Sequence, residues 1–278
     1  CVHTASLPHP SLLCQACCMP RLTDQTLPLQ DCTVLSLRPR RQHASLRAAA
    51  ARLGARVLAI SPIAISARDD AQTRDALATA LTADVVLFTS PNAVRAATTL
   101  TSPGTRRQQR WIAVGAGTRR ALARAGIDAI APARMDSEGL LALPALAQVQ
   151  GKRIGLITGL GGRGVLQPAL AARGAQVIRA DVYARTSVPI PEHRWQLLAD
   201  VLQSPHHACL ALSSAEALQA LLVQLPATLL PALHGIRVIA ASERLAVTAR
   251  DAGFNKVVIA ASPRPRALLA AMLTTMSA

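Results

Sequence analysis

The residues able to do chemistry fall into three groups: a cysteine-rich start, a glycine run, and short polar stretches that follow apolar runs. Five of the six cysteines (Cys1, Cys14, Cys17, Cys18 and Cys32) lie within the first 32 residues, near His3 and His9. Cys14 and Cys17 form a C-x-x-C, but a zinc site needs four ligands and no second C-x-x-C or H-x-x-x-H is present. That segment is rich in Pro, Ser and Thr and has no hydrophobic period, so residues 1–31 read as a disordered extension without a metal. Cys209, inside the apolar run ACLAL, reads as a buried strand residue. Gly159-Leu160-Gly161-Gly162-Arg163-Gly164 satisfies G-x-G-x-x-G after the strand-like RIGLIT, with Asp181 seventeen residues beyond Gly164. That spacing is a dinucleotide fingerprint. The polar stretches are Thr89-Ser90-Pro91-Asn92, Gly115-Ala116-Gly117-Thr118, Ser213-Ser214-Ala215-Glu216 and Ser242-Glu243. Hydroxyls and unpaired N–H groups at such strand-to-helix junctions suit anions. Each also reads as a helix cap: Ser90 with Pro91 at the first helical position, and Ser213 with Glu216 as a capping box. The seven histidines pair with nothing recognisable.

The elements that would position these residues come from an internal duplication. CTVLSLRP, a helical stretch and LGARVLAISPIAI near residue 32 are repeated as KRIGLITG, a helical stretch and RGAQVIRADVYAR near residue 152. Gly54 and Gly174 align 120 residues apart, Ser90 and Ser214 are 124 apart, and Gly126 and Gly253 are 127 apart. An offset that grows smoothly fits two copies differing by short loop insertions. Each copy alternates short apolar runs with amphipathic stretches of helical length, which predicts parallel sheets flanked by helices. Ligands of such sheets bind at the carboxyl ends of the strands. The duplication also weakens the glycine motif: the first copy has Arg38-Pro39-Arg40-Arg41 at that place, without glycine. Asp181 is followed by a polar break, Val182-Tyr183-Ala184-Arg185, so NADH is expected not to bind.

Composition narrows the partners. The 278 residues carry 30 basic and 15 acidic side chains, a net charge of +15, and only Lys152 and Lys256 are lysines. Such a field attracts polyanions. Aromatic residues are 2%, too few for the stacking platforms that bind single-stranded nucleic acid. Ala217 to Ile236 lacks Lys, Arg, Asp and Glu but contains Pro226 and Pro231, so it reads as a buried helix followed by a loop, not a membrane span. No basic, then apolar, leader is visible at the start. The expectation is a cytoplasmic monomer that binds neither nucleic acid nor membrane.

Taken together, several motifs resemble the uroporphyrinogen-III synthase family: Arg38 after the first strand, FTSPNAV (88–94), VGAGT (114–118) and the glycine-arginine turn before VLQPALAARGA. VYAR (182–185), LSSAEAL (212–218) and ASERLA (241–246) continue it, and the resemblance covers roughly nine-tenths of the chain, from about Cys32 onward. It implies two flavodoxin-like parallel-sheet α/β domains joined by a two-stranded hinge, one of residues 32–62 plus 186–278 and the other of 63–185. The implied reaction cyclises hydroxymethylbilane, with inversion of ring D and loss of water, to uroporphyrinogen III in haem biosynthesis, a lyase reaction using no cofactor or metal. Tyr183 matches the candidate that protonates the departing hydroxyl. Ser90, Thr118, Ser213 and Ser214 match hydroxyls that hold substrate carboxylates, and Arg38 and Arg237 match basic positions beside the cleft. Where many members have a glycine-proline-threonine turn, this chain has Ser242-Glu243-Arg244, and Ser242 stands in for the threonine. An octacarboxylate substrate would make sense of the +15 charge. Two alternatives remain from the residues alone: a two-lobed small-molecule-binding or regulatory protein, and, on charge only, a nucleic-acid binder whose affinity falls steeply with salt.

Overall fold

Apolar runs of three to five residues, bounded by Gly, Ser or Asp, form most strands of two five-stranded sheets in a computed structural model. It describes residues 27–102, 104, 109–134, 137–161 and 164–276. Cys1, Cys14, Cys17, Cys18, Gly162 and Arg163 lie outside the described residues. The strands are β1 (Thr33–Ser36), β2 (Arg56–Ala59), β3 (Ile63–Ala67), β4 (Val85–Phe88), β5 (Arg110–Ala113), β6 (Arg153–Gly159), β7 (Gln176–Ser187), β8 (Ala208–Leu212), β9 (Arg237–Ala240) and β10 (Val257–Ile259). Helices alternate with them: α1 (Ala44–Ala51), α2 (Ala71–Ala80), α3 (Pro91–Leu100), α4 (Ala116–Arg124), α5 (Ser137–Leu141) and α6 (Leu166–Ala172). They continue as α7 (Glu192–Leu202), α8 (Ala215–Gln224), α9 (Leu230–Gly235), α10 (Glu243–Asp251) and α11 (Pro265–Met276).

The first sheet has the order β10-β9-β8-β1-β2 and is parallel throughout. The second is β3-β7-β6-β4-β5, parallel except for β3, and a bridge from Ile112 to Ile130 extends it beyond β5. Repeat equivalents (β1 with β6, β2 with β7, β4 with β8, β5 with β9) occupy the same places in the two orders. The duplication is therefore a duplication of fold. Gly54 and Gly174 confirm the alignment at the backbone: both turn a helix into a strand with positive φ, 86° and 77°.

Each sheet takes strands from both copies. After β2 the chain leaves through Ile60-Ser61-Pro62, and β3 pairs antiparallel with the far half of β7, Ile63 opposite Ser187 through Ala67 opposite Tyr183. The Val188 N–H donates to the Pro62 carbonyl at 2.9 Å and continues this ladder. Because the joining ladder is itself an edge of the second sheet, that sheet is mixed where the sequence predicts parallel strands only.

With so few aromatic residues the cores are Ala, Leu, Val and Ile, punctuated by Phe88 stacked on Trp111 at 6.1 Å between ring centroids. Cys209 is buried in β8, as its apolar surroundings predict. The run from Ala217 departs from expectation: Pro226 ends one helix, and a second, bent by 118°, occupies the predicted loop. Among the described residues no single helix is long and apolar enough to cross a membrane.

The supposed extension also enters the fold. Residues 28–31 form a turn, the Leu29 N–H donates to the Leu53 carbonyl at 2.8 Å, and the Leu29 side chain is 0% exposed. Deletion through residue 31 is thus expected to cost about 2–5 kcal/mol, the range for emptying a buried leucine site. Deletion through residue 26 spares Leu29, so urea unfolding of the two truncations separates them; equal midpoints would show that Leu29 adds nothing.

Candidate active site

Three strands of the second sheet end together. β4 ends at Phe88 and leads into Thr89-Ser90, β6 ends at Gly159, and Tyr183 lies opposite Gly159 on β7. The pairing of β6 with β7 slips there: Thr158 faces Asp181, Gly159 faces Tyr183, and Val182 is passed over. Such a bulge re-aims side chains. Val182 and Tyr183, consecutive in a strand, consequently both pack in one apolar cluster. The polar break expected at 182–185 is instead continuous strand.

The ring of Tyr183 lies over Gly159. A Cβ at Gly159 would sit 2.6 and 2.8 Å from Tyr183 Cε2 and Cε1, inside van der Waals contact. The first glycine of the apparent fingerprint therefore makes room for a tyrosine. Asp181, which a dinucleotide site would need for the ribose, is held by Arg179: Arg179 Nε donates to both carboxylate oxygens, at 3.0 and 3.1 Å.

Tyr183 is 3% exposed, yet it lines a cavity of about 380 Å³ together with Ser90, Thr158, Gly161, Arg179 and Arg185 among others. Tyr183 Oη is 3.2 Å from Ser90 Oγ, and Arg185 Nη2 donates to Tyr183 Oη at 3.3 Å. The Arg185 guanidinium carbon lies 5.6 Å from the ring centroid, within cation–π range. Guanidinium only donates, so Arg185 occupies a lone pair of the phenol oxygen. The phenol proton is left for Ser90 or for a molecule in the cavity. Ser90 caps α3 as its sequence predicts, accepting from the Ala93 N–H at 3.0 Å. The same hydroxyl caps a helix and faces the tyrosine. Thr89 Oγ1 donates to Thr158 Oγ1 at 2.7 Å, tying the tips of β4 and β6.

The other expected site residues are more scattered. Thr118 is buried in the first turn of α4, next to Gly117, where a Cβ would lie 3.6 Å from the Pro91 ring. Ser214 and Ser242 cap α8 and α10, accepting from Ala217 N–H at 3.2 Å and Leu245 N–H at 3.4 Å. Ser214 rather than Ser213 is thus the cap, so the Ser213–Glu216 capping box does not form, and Ser213 is exposed. All three serines follow carboxyl ends of strands in the first sheet. Arg38 follows β1 there, donates to the Pro263 carbonyl at 3.4 Å, and burial draws its pKa below the usual guanidinium value. Arg237 does not join them. It is the first residue of β9, at the amino end of the sheet, where its charge acts on Cys32 and Cys209. Burial pushes the Cys209 thiol up to about 12, so it stays protonated.

The two sets of loops meet where Gln42 Nε2, in the turn before α1, donates to Asn92 Oδ1 in the first turn of α3 at 3.1 Å. Arg185, Arg179 and Thr158 are site residues that sequence reasoning passed over. The period of two in β7, which puts Arg185 on the Tyr183 face, was the available signal.

His43, just ahead of α1, was also missed. It is 5% exposed, with Nδ1 3.0 Å from Ser36 Oγ and Nε2 2.9 Å from Ser61 Oγ. Burial first, then the charges of Arg47, Arg38 and Arg194, lower its pKa to about 4. A histidine depressed in the folded state stabilises the fold above its unfolded value, near 6.5, and loses that contribution as the pH falls toward about 4. The expected loss is up to about 3 kcal/mol. Urea unfolding between pH 7.5 and 4 measures it, and His43→Gln should flatten the slope; an unchanged slope would assign the pH dependence elsewhere.

Among the described residues no three His, Cys, Asp or Glu side chains gather as a metal site would require. The family model described as Uroporphyrinogen-III synthase HemD matches residues 44–270. The chain is 33% identical over 142 residues to the uroporphyrinogen-III synthase of Escherichia coli (strain K12), covering 49% of this chain and 54% of that protein. It is 34% identical over 170 residues to that of Salmonella typhimurium, covering 59% of this chain and 66% of the relative. These matches span from about half to just under two thirds of the relatives' length. Among solved structures, uroporphyrinogen-III synthetase from Helicobacter pylori 26695 superposes with a TM-score of 0.61 at 13% identity, covering 87% of this chain and 99% of that one. That likeness supports the fold.

Proposed function

Because the chain belongs to the uroporphyrinogen-III synthase family, we propose that it converts hydroxymethylbilane to uroporphyrinogen III, inverting ring D and releasing water. The observation that carries this is Tyr183, whose hydroxyl is set between Ser90 and Arg185 and which lines a cavity where strands end.

The leaving hydroxyl departs as water, pushed by the adjacent pyrrole nitrogen and aided by a proton from Tyr183. The electron-rich substituted carbon of ring D attacks the resulting azafulvene carbon. The spiro intermediate then fragments and recloses with ring D reversed, and the proton released when the pyrroles regain aromaticity at the end returns to Tyr183. Such an electrophile needs little activation, so the protein's main task is to hold the chain in the ring-inverting conformation. Helix-capping serines, N–H groups and arginines suit that task, since they hold carboxylates without offering a competing nucleophile. Ser90 and Thr118 would hold substrate on the second sheet, and Arg38, Ser213, Ser214 and Ser242 on the first. Arg237, at the opposite end of its strand, is left out.

Two lobes follow from this reading, residues 32–62 with 186–278 and residues 63–185, and the two sheets and their joining ladder support it. One chain supplies both sets of loops, which supports a monomer that needs no partner subunit to complete the site. The test is to supply hydroxymethylbilane, oxidise the product and resolve the porphyrin isomers. Isomer III is expected; isomer I alone, as forms without enzyme, would refute the proposal.

A further inference from the structure

A second cavity, of about 600 Å³, lies away from Tyr183 where the β1–α1 turn, the start of α7 and the residues flanking the joining ladder come together. Its wall carries Arg40, Arg41, Arg47 and Arg194 together with His193 and His43. Among the described residues no carboxylate lines it, and none of the ion pairs formed elsewhere uses these four arginines. Glu192, in the first turn of α7, is not part of the wall.

Four guanidiniums around one hollow repel one another, more so where protein displaces water. Their charge is felt at buried His43 in the wall, where, after burial, Arg47 and Arg194 are among the causes that lower its pKa. Both ring nitrogens of His43 are already engaged by Ser36 and Ser61, so the anion is left to the arginines. Arg41 holds its place with φ at 65°, the left-handed region that non-glycine residues seldom occupy. Helices α1 and α7 both begin at this wall, adding the positive ends of two helices to the arginines. A guanidinium fork matches the paired oxygens of a carboxylate or phosphate.

We propose that this cavity binds a small multivalent oxyanion, bearing carboxylate or phosphate groups, held by Arg40 and Arg41 of the β1–α1 turn, Arg47 of α1 and Arg194 of α7. The site is separate from the Tyr183 cavity and does not depend on the tetrapyrrole chemistry proposed there. An anion seated here would touch Ser61 and Pro191, the residues through which the chain enters and leaves the joining ladder. Occupancy would therefore stiffen the connection between the sheets.

Calorimetric titration of the full chain at constant ionic strength tests this, with inorganic pyrophosphate and citrate as separate probes. Saturable binding of at least one probe is expected, and the stronger probe tells phosphate from carboxylate preference. Arg47→Gln/Arg194→Gln and, in the exposed turn, Arg40→Gln/Arg41→Gln should each weaken binding at least tenfold. Arg124→Gln, at an exposed position of α4, and Tyr183→Phe should leave it unchanged. The bound anion should also raise the pH at which the His43 ring titrates, read by NMR, because it offsets the neighbouring positive charge. No saturable binding of either probe at millimolar concentration would overturn the proposal. So would equal weakening by Arg124→Gln, which would mark a diffuse charge effect, or binding that survives both double substitutions.

Discussion

Tyr183→Phe should lower turnover of hydroxymethylbilane at least about tenfold, while the product remains isomer III and the fold is intact. General acid assistance typically contributes about 10²–10⁴-fold. The pyrrole nitrogen already pushes the hydroxyl out, so the low end of that range is expected. Phenylalanine keeps the ring over Gly159 and in its apolar cluster, removing only the hydroxyl that meets Ser90 and Arg185. The stability change should stay near 1 kcal/mol, the usual net value of a hydrogen bond. Isomer III persists because the serines, Thr118 and Arg38 that would orient the chain are untouched. Full turnover in the variant would reduce Tyr183 to a packing residue and leave catalysis to conformational restraint alone. Release of isomer I would show that the hydroxyl also holds ring D.

Much of the fold was legible because the duplication marks equivalent strands twice, by apolar runs and by glycines such as Gly54 and Gly174 that close equivalent turns. The position of Ser90 was legible for the same reason: a serine ahead of proline after an apolar run has few other places to be. Arg237 could also have been placed correctly. It precedes the run VIA, whereas Ser242 follows it, so the two residues lie at opposite ends of one strand. Three features were hidden for physical reasons. The bulge at Val182 depends on how β7 registers against β6, and a single strand's pattern carries no information about a register slip. Leu29 looks like one more apolar residue in a proline-rich start, and only the packed turn against Leu53 shows that it belongs to the core. The His43 junction was invisible because its partners, Ser36 and Ser61, lie on two different strand ends.

Gly159→Ala should be at least as damaging to turnover as Tyr183→Phe, although it adds a single methyl group. The backbone at Gly159 does not require glycine, since its φ is not among the positive values, so the whole effect is steric. With ring carbons 2.6 and 2.8 Å from the new Cβ, the tyrosine must shift by several tenths of an ångström or more, toward the cavity. Overpacking of this kind costs about 1–3 kcal/mol of stability. The shift also breaks the 3.2 Å contact with Ser90 and the 3.3 Å contact with Arg185, so the proton is no longer aimed. Misplacement by about 1 Å can reduce a rate about 10²-fold, and that is the expected loss. The double variant Gly159→Ala/Tyr183→Phe isolates the cause. If glycine acts through the tyrosine, the two losses should not add, because the aim of an absent proton is immaterial. Additive losses would mean that the methyl group blocks the cavity itself. A third pattern, in which turnover is untouched while an NADH affinity present in the parent protein disappears, would return Gly159 to the dinucleotide fingerprint and remove its link to Tyr183.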